Sequence, residues 1–98
     1  MTYQDLLNTV PVTLVEVYAT WCPHCRKMMP IVEQIKELLE GRAQVVQFDI
    51  DQNEELADDQ NVQSVPTFIL YSDSKEVWRH SGEIDAEALL GKVEKYLK

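Results

Sequence analysis

The sequence predicts an α/β fold with the element order (α)βαβαββα and a mixed four-stranded sheet flanked by helices on both faces. Three observations carry this prediction. The stretch from Val12 to Tyr18 is apolar on both faces apart from Thr13 and Glu16. Apolar residues then recur at helical spacing, and two strand-like runs, Thr67–Tyr71 and Glu76–His80, follow later with only a short polar turn between them. A doubly covered strand with a crossover helix marks a βαβ unit, and two closely spaced strands mark a hairpin. Together they make a mixed sheet with helices on both sides.

Taken in order, Thr2 followed by Asp5 caps a short helix that runs to about Asn8 and is stopped by Val10-Pro11. The first strand is Val12–Tyr18. Pro23 opens the long helix at its first turn, where a missing N–H does no harm. Met28, Ile31 or Val32, Ile35 and Leu38 or Leu39 then form its buried stripe, and Gly41 supplies the stop. A second strand covers Ala43 to Ile50. Asp51 or Asn53 can cap a short helix over 54–60. The hairpin turns at Ser72-Asp-Ser-Lys75, and a closing helix from Ala86 to Leu97 places Ala86, Leu89, Leu90, Val93 and Leu97 on one face, with Asp85 as its N-cap.

Length and composition narrow the function. Ninety-eight residues, 45% hydrophobic and 27% charged, suit one globular domain over 1–98 with its own core. The formal charge of −8 argues against nucleic acid as a partner and against an anionic membrane surface. No apolar run approaches the roughly 20 residues of a bilayer span. The first basic residue is Arg26, which leaves no positive n-region for a signal peptide, so the expected location is cytoplasmic. The charge is uneven: residues 1–48 carry net −1 and residues 49–98 net −7, with Asp49, Asp51, Glu54, Glu55, Asp58 and Asp59 crowded together. Such a run is read either as a solvated helix and its preceding loop or as an acidic face that steers a basic partner.

The two cysteines, Cys22-Pro-His-Cys25, fall at the predicted strand-to-helix junction. Three residues apart at a helix start, both sulfurs lie on one face, with β-carbons roughly 5–6 Å apart in ideal geometry. A disulfide prefers about 3.8 Å, so this ring closes with local adjustment and reopens readily. Cys22 precedes the first turn, where unpaired N–H groups and the positive helix end favour a thiolate, whereas Cys25 is one turn in and shielded. Cys22 is therefore the attacking sulfur and Cys25 the resolving one. Other uses of the pair fit less well. Pro and His between buried structural cysteines suit an exposed turn better than a core. Haem attachment needs His where Arg26 stands, and zinc needs two more ligands when only His24 and His80 are available.

Trp21-Cys-x-x-Cys25 after an apolar strand, Pro30 in the following helix, Phe48-Asp-Ile-Asp51, Val65-Pro66-Thr67 before a strand and Gly82 late in the chain resemble the thioredoxin family. The resemblance runs from about residue 12 to 97. It implies a thioredoxin fold and thiol–disulfide exchange on protein disulfides, with no cofactor beyond the Cys22–Cys25 pair. It also implies a cis bond at Val65-Pro66 facing the cysteines, and Val65 pairing its backbone with the substrate. Trp21, Pro23, His24, Val65, Pro66, Thr67 and Gly82 make up the expected substrate surface; Trp21 alternatively covers the core edge, and Gly82 alternatively serves a turn. Met28 and Met29 are read as helix packing, Trp78, Tyr71 and Phe68 as core or sheet-face residues, and His80 as a surface strand residue. Expected partners are protein disulfide substrates and a thioredoxin-reductase-like electron donor, with the protein itself a monomer.

Three departures from the family pattern bear on mechanism. Pro23-His24 replaces the usual Gly-Pro and resembles oxidising members; a His beside Cys22 adds charge and donors, so His24→Gly is expected to raise the Cys22 pKa. Glu16 stands in place of a buried Asp beneath the disulfide. A carboxyl on a covered strand keeps its proton to higher pH and can take the proton of Cys25. Gln47 falls where a Lys often partners that Asp. The expected function is a disulfide reductant, with an oxidant or isomerase of the same fold as the alternative. A different class, a non-enzymatic binding or metal-carrying module, also remains open.

Overall fold

A computed structural model describes residues 1–97. Its element order is α1 (Tyr3–Leu7), β1 (Val12–Tyr18), α2 (Pro23–Leu38), β2 (Gln44–Asp49), α3 (Glu54–Asp59), β3 (Thr67–Ser72), β4 (Lys75–Ser81) and α4 (Ala86–Glu94). The four strands form one sheet in the order β2-β1-β3-β4. β1 runs parallel to β2 and antiparallel to β3, and β3 is antiparallel to β4. The mixed four-stranded α/β architecture expected from the pattern is the one observed.

The unbroken apolarity of β1 has its cause in this order. Val12 and Leu14 pack with Met28, Val32, Ile35 and Leu39 of the long-helix side and Leu89 and Val93 of α4. Val15 and Val17 face the other way, onto Leu7, Ala57 and Val62. Neighbouring residues of one strand are thus buried on opposite faces, each such side chain contributing about 1.5–3 kcal/mol.

Local chemistry explains the element ends. The Thr2 hydroxyl accepts the Asp5 N–H at 3.1 Å and the Asp5 carboxylate accepts the Thr2 N–H at 3.0 Å, a reciprocal cap on α1. Asp85 caps α4 through the Ala88 N–H at 2.8 Å. At the far end of α2 the Arg42 and Ala43 N–H groups both donate to the Leu39 carbonyl, and Gly41 takes a φ of +79°. Ala43 is therefore held by the helix end, and β2 starts one residue later than the apolar pattern suggests.

Other element ends shift by a residue or more, and one cap differs. α4 closes at Glu94 rather than Leu97, because the Tyr96 and Leu97 N–H groups tighten onto Val93 and Glu94 carbonyls three residues back. Asn53 occupies the N-cap of α3 but makes no side-chain cap bond; its amide donates instead to the Asp49 carbonyl at 2.9 Å. The β3–β4 ladder also slips between Leu70 and Tyr71, so Val77 bulges outward.

The hairpin turns on two residues with left-handed backbone, Asp73 (φ +51°) and Ser74 (φ +69°), without a glycine. Tertiary bonds hold them there: the Asp73 N–H donates to the Pro11 carbonyl at 2.7 Å and the Ser74 hydroxyl to the Leu7 carbonyl at 3.1 Å. Among the described residues no helix is long and apolar enough to cross a membrane.

Candidate active site

The cysteines sit where β1 hands over to α2, at the carboxyl end of a central strand, the usual place for chemistry in an open α/β sheet. Cys22 is the N-cap of α2 with Pro23 behind it, and its own N–H donates to the Ala19 carbonyl at 3.3 Å. Both are free thiols. Exposure separates them less than the sequence suggested, at 5% for Cys22 and 2% for Cys25. Proton affinity separates them strongly. The Cys25 backbone N–H, pointing from the first turn of α2, holds the Cys22 thiol below its ordinary pKa against the opposing effect of burial, with the Cys25 side chain, the His24 N–H and the Arg26 charge adding to the lowering. The approach of the Cys25 N–H is looser than a formed cap bond. Burial pushes Cys25 the other way, to about 11.

The remaining contacts join three loops around this pair. Cys22 Sγ faces the Val65 carbonyl at 3.7 Å, and Cys25 Sγ accepts the Ala19 N–H at 3.4 Å. The Val65–Pro66 bond is cis, with Pro66 buried and Val65 half-buried. The Pro66 carbonyl accepts the Gly82 N–H at 2.8 Å, which ties this loop to the end of β4. Gly82 has a φ of +98° and open space where a β-carbon would go. Its positive φ fits the turn reading, and the open space at its Cα fits the close approach of another chain. Gly82→Ala is therefore expected to lower stability by about 1–2 kcal/mol through backbone strain alone, measured by urea unfolding. An unchanged midpoint would show that the loop relaxes freely.

Thr67 differs from its expected place on the substrate surface. It is buried at the start of β3, its hydroxyl donating to the Ser64 carbonyl at 2.7 Å and meeting Ser81 Oγ at 3.0 Å. It shapes the Pro66 loop from beneath. Trp21 is 61% exposed and its indole N–H donates to Asp51 Oδ2 at 2.8 Å, so it lies over the edge of the site rather than in the core. Pro23 and His24 are exposed.

His24 does not turn its ring to Cys22. Nδ1 pairs with Glu83 Oε2, on the loop after β4. That pairing lowers the Glu83 pKa, while His24 acts on Cys22 through its backbone N–H. His80 lies in β4, half-buried, stacked on Trp78 at 5.9 Å and bonded to the Glu83 carbonyl at 3.0 Å.

Glu16 is buried at 2% exposure on the α2 side of the sheet, paired in register with Gln47. Burial raises its pKa; the Gln47 amide, donating to Oε1 at 2.9 Å, opposes this in part. A cleft of about 180 Å³ joins Glu16 to Cys25, walled also by Tyr18, Met29, Glu33 and Gln47. Met28 is core as expected, but Met29 is 60% exposed at this cleft. The sequence reading gives Glu83 and Glu33 no role, takes Asp51 only as a cap and a member of the acidic run, and takes Met29 only as helix packing; for Met29 and Glu33 the cleft is what the reading missed. A signal for this existed: Met29 and Glu33 follow Cys25 by one and two helical turns on the same stripe. Among the described residues no three Cys, His, Asp or Glu side chains gather closely enough to hold a metal ion.

A thioredoxin family model matches residues 2–95. Thioredoxin Y1, chloroplastic, of Arabidopsis thaliana is 36% identical over 97 residues, covering 98% of this chain and 56% of the relative. Thioredoxin of Synechocystis sp. is 31% identical over 94 residues, covering 96% and 88%. The chain thus spans a little over half the length of the chloroplast relative but most of the cyanobacterial one. Among solved structures, a mutant thioredoxin from Halobacterium salinarum NRC-1 superposes with a TM-score of 0.89 at 34% identity, covering 97% of this chain and 82% of that one.

Proposed function

The chain belongs to the thioredoxin family, and from that premise we propose that it is a thiol–disulfide oxidoreductase acting on protein disulfides, working as a reductant. One observation carries the reading: two adjacent thiols with opposed proton affinities at a helix N-terminus, the one favouring thiolate facing the Val65 carbonyl and the other sharing a cleft with a buried carboxyl. The Cys22 thiolate attacks a substrate sulfur and displaces the other as a thiolate. Cys25 then gives its proton to Glu16 and attacks Cys22 Sγ. The Cys22–substrate bond breaks, the ring disulfide forms, and the substrate leaves with both electrons of the dithiol. The Val65 carbonyl and the Trp21 and Gly82 edges flank the approach of the substrate chain.

The reading carries with it a monomeric, cytoplasmic domain over 1–98, without a cofactor beyond the cysteine pair and recharged by a thioredoxin-reductase-like donor. The reductant direction rests on His24: with its ring on Glu83, the imidazole adds little to the Cys22 thiolate, unlike what Pro23-His24 suggests in isolation. The test is the reduction potential in glutathione buffers. The expected value is near the roughly −270 mV of a reducing thioredoxin, and His24→Gly shifts it by less than about 30 mV. A value of about −120 to −180 mV makes the protein an oxidant or isomerase instead. Absence of any insulin-disulfide turnover would leave the binding module.

A further inference from the structure

Glu16 has to be ionised before it can accept the Cys25 proton and has to lose a proton in each cycle, yet its side chain has almost no contact with solvent. Its two oxygens are not equivalent. Oε1 takes the Gln47 amide, whereas Oε2 has no hydrogen-bond partner among the described residues and is not sealed off as a buried unpaired atom. The space open to it is the cleft of about 180 Å³. This space is well above the roughly 10–15 Å³ that one water needs, and its carboxyl, amide, phenol and thiol walls supply the polar partners of ordered water.

The cleft lies between the β1–β2 edge of the sheet and one stripe of α2. Cys25, Met29 and Glu33 follow each other at intervals of four on that stripe. Cys25 is the buried end, and Glu33 is exposed to solvent while still lining the cleft. It is the one carboxyl besides Glu16 on these walls. Met29, between them on the stripe, also lines the cleft and is largely exposed.

We propose that Glu33 is the outer proton relay of the site, exchanging protons between bulk solvent and Glu16 through water in this cleft. The proposal rests on Glu16 being the acceptor for Cys25. In the resolving step Cys25 Sγ gives its proton to Glu16, the sulfur's electron pair bonds to Cys22 Sγ, and the substrate sulfur departs as a thiolate. The outward hop belongs to that same step: as the Cys25 proton reaches Glu16, a proton leaves along the water of the cleft to the Glu33 carboxylate and on to solvent or buffer, so the second thiolate departs no faster than the relay runs. No electron moves in this outward hop.

The experiment mixes the reduced protein with 5,5′-dithiobis(2-nitrobenzoate) in a stopped-flow instrument at neutral pH. The first thionitrobenzoate released reports attack by Cys22 and the second reports resolution by Cys25. In dilute buffer, Glu33→Gln is expected to slow the second release about five- to tenfold, a fraction of what a general base supplies, with the first release unchanged. Concentrated imidazole, small enough to take the proton at the cleft mouth, restores the rate, while the wild type responds little to buffer. Glu16→Gln slows the second release and is not restored. Glu33→Gln matching the wild type in dilute buffer overturns the relay, and so does a slowing that imidazole leaves in place, since that marks a packing or field effect. If Glu16→Gln resolves as fast as the wild type, it is the acceptor reading itself that fails.

Discussion

Cys25→Ser is expected to collect as a stable mixed disulfide with insulin chains, one per protein molecule on non-reducing electrophoresis, while Cys22→Ser loses turnover by on the order of 10⁴-fold or more. The asymmetry follows from where the two thiols lie. Cys22, at the mouth of α2, is held below its ordinary pKa by backbone N–H groups that would otherwise face nothing. Cys25, pushed up to about 11, is ionised in about one molecule in ten thousand at neutral pH and cannot initiate. Once Cys22 is bonded to substrate, its sulfur no longer bears charge, and one of the influences that raise Cys25 is gone. The resolving thiol is thus readied by the step before it. Turnover by Cys25→Ser at the wild-type rate would refute this division of roles.

Glu16→Gln is expected to make the protein more stable and less active. Burial raises the Glu16 pKa above its ordinary 4.5, so across a window that opens there the folded chain keeps a proton the unfolded chain has lost. Where the folded state binds more protons, stability falls as pH rises. The wild type therefore loses stability from about pH 4.5 up through the raised folded pKa and is level beyond it. Glutamine keeps the shape and the contact with Gln47 but removes the charge. At neutral pH this gains on the order of 1–3 kcal/mol, at about 4–8 °C in melting temperature per kcal/mol. Urea titrations from acid to neutral pH check the sign: the two curves run together in acid and diverge upward for the variant. Parallel curves would mean that Glu16 titrates alike in both states. Resolution by Cys25 slows in the same variant, for want of an acceptor.

Much of this site is readable along the chain because its parts are local. The doubly apolar Val12–Tyr18, the Thr2–Asp5 cap and the Cys22-Pro23 helix start each depend on a few neighbouring residues. The cis Val65–Pro66 bond is not local in that sense; it came from resemblance. What stayed hidden is set by distant partners. His24 meets Glu83 across 59 positions, and nothing near His24 announces it. The amide of Asn53 has a cap site within reach and takes a carbonyl instead. Asp73 and Ser74 adopt a backbone that usually asks for glycine, because Pro11 and Leu7 stand ready to bind them. Gln47 looks like a lost lysine until the parallel register sets it beside Glu16.

The strand that carries Glu16 and ends at the cysteines is hydrogen-bonded on both edges and covered on both faces. Its neighbours are anchored as well, with the Pro66 loop tied to Gly82. A partner therefore meets a mould already set. The conformational adjustment that complex formation demands falls on the partner's side, and a cystine carried on a segment already extended or loosely held gives up the least freedom on docking. If the proposed function holds, discrimination among substrates is expected to read the pliancy of the target disulfide as much as the residues around it.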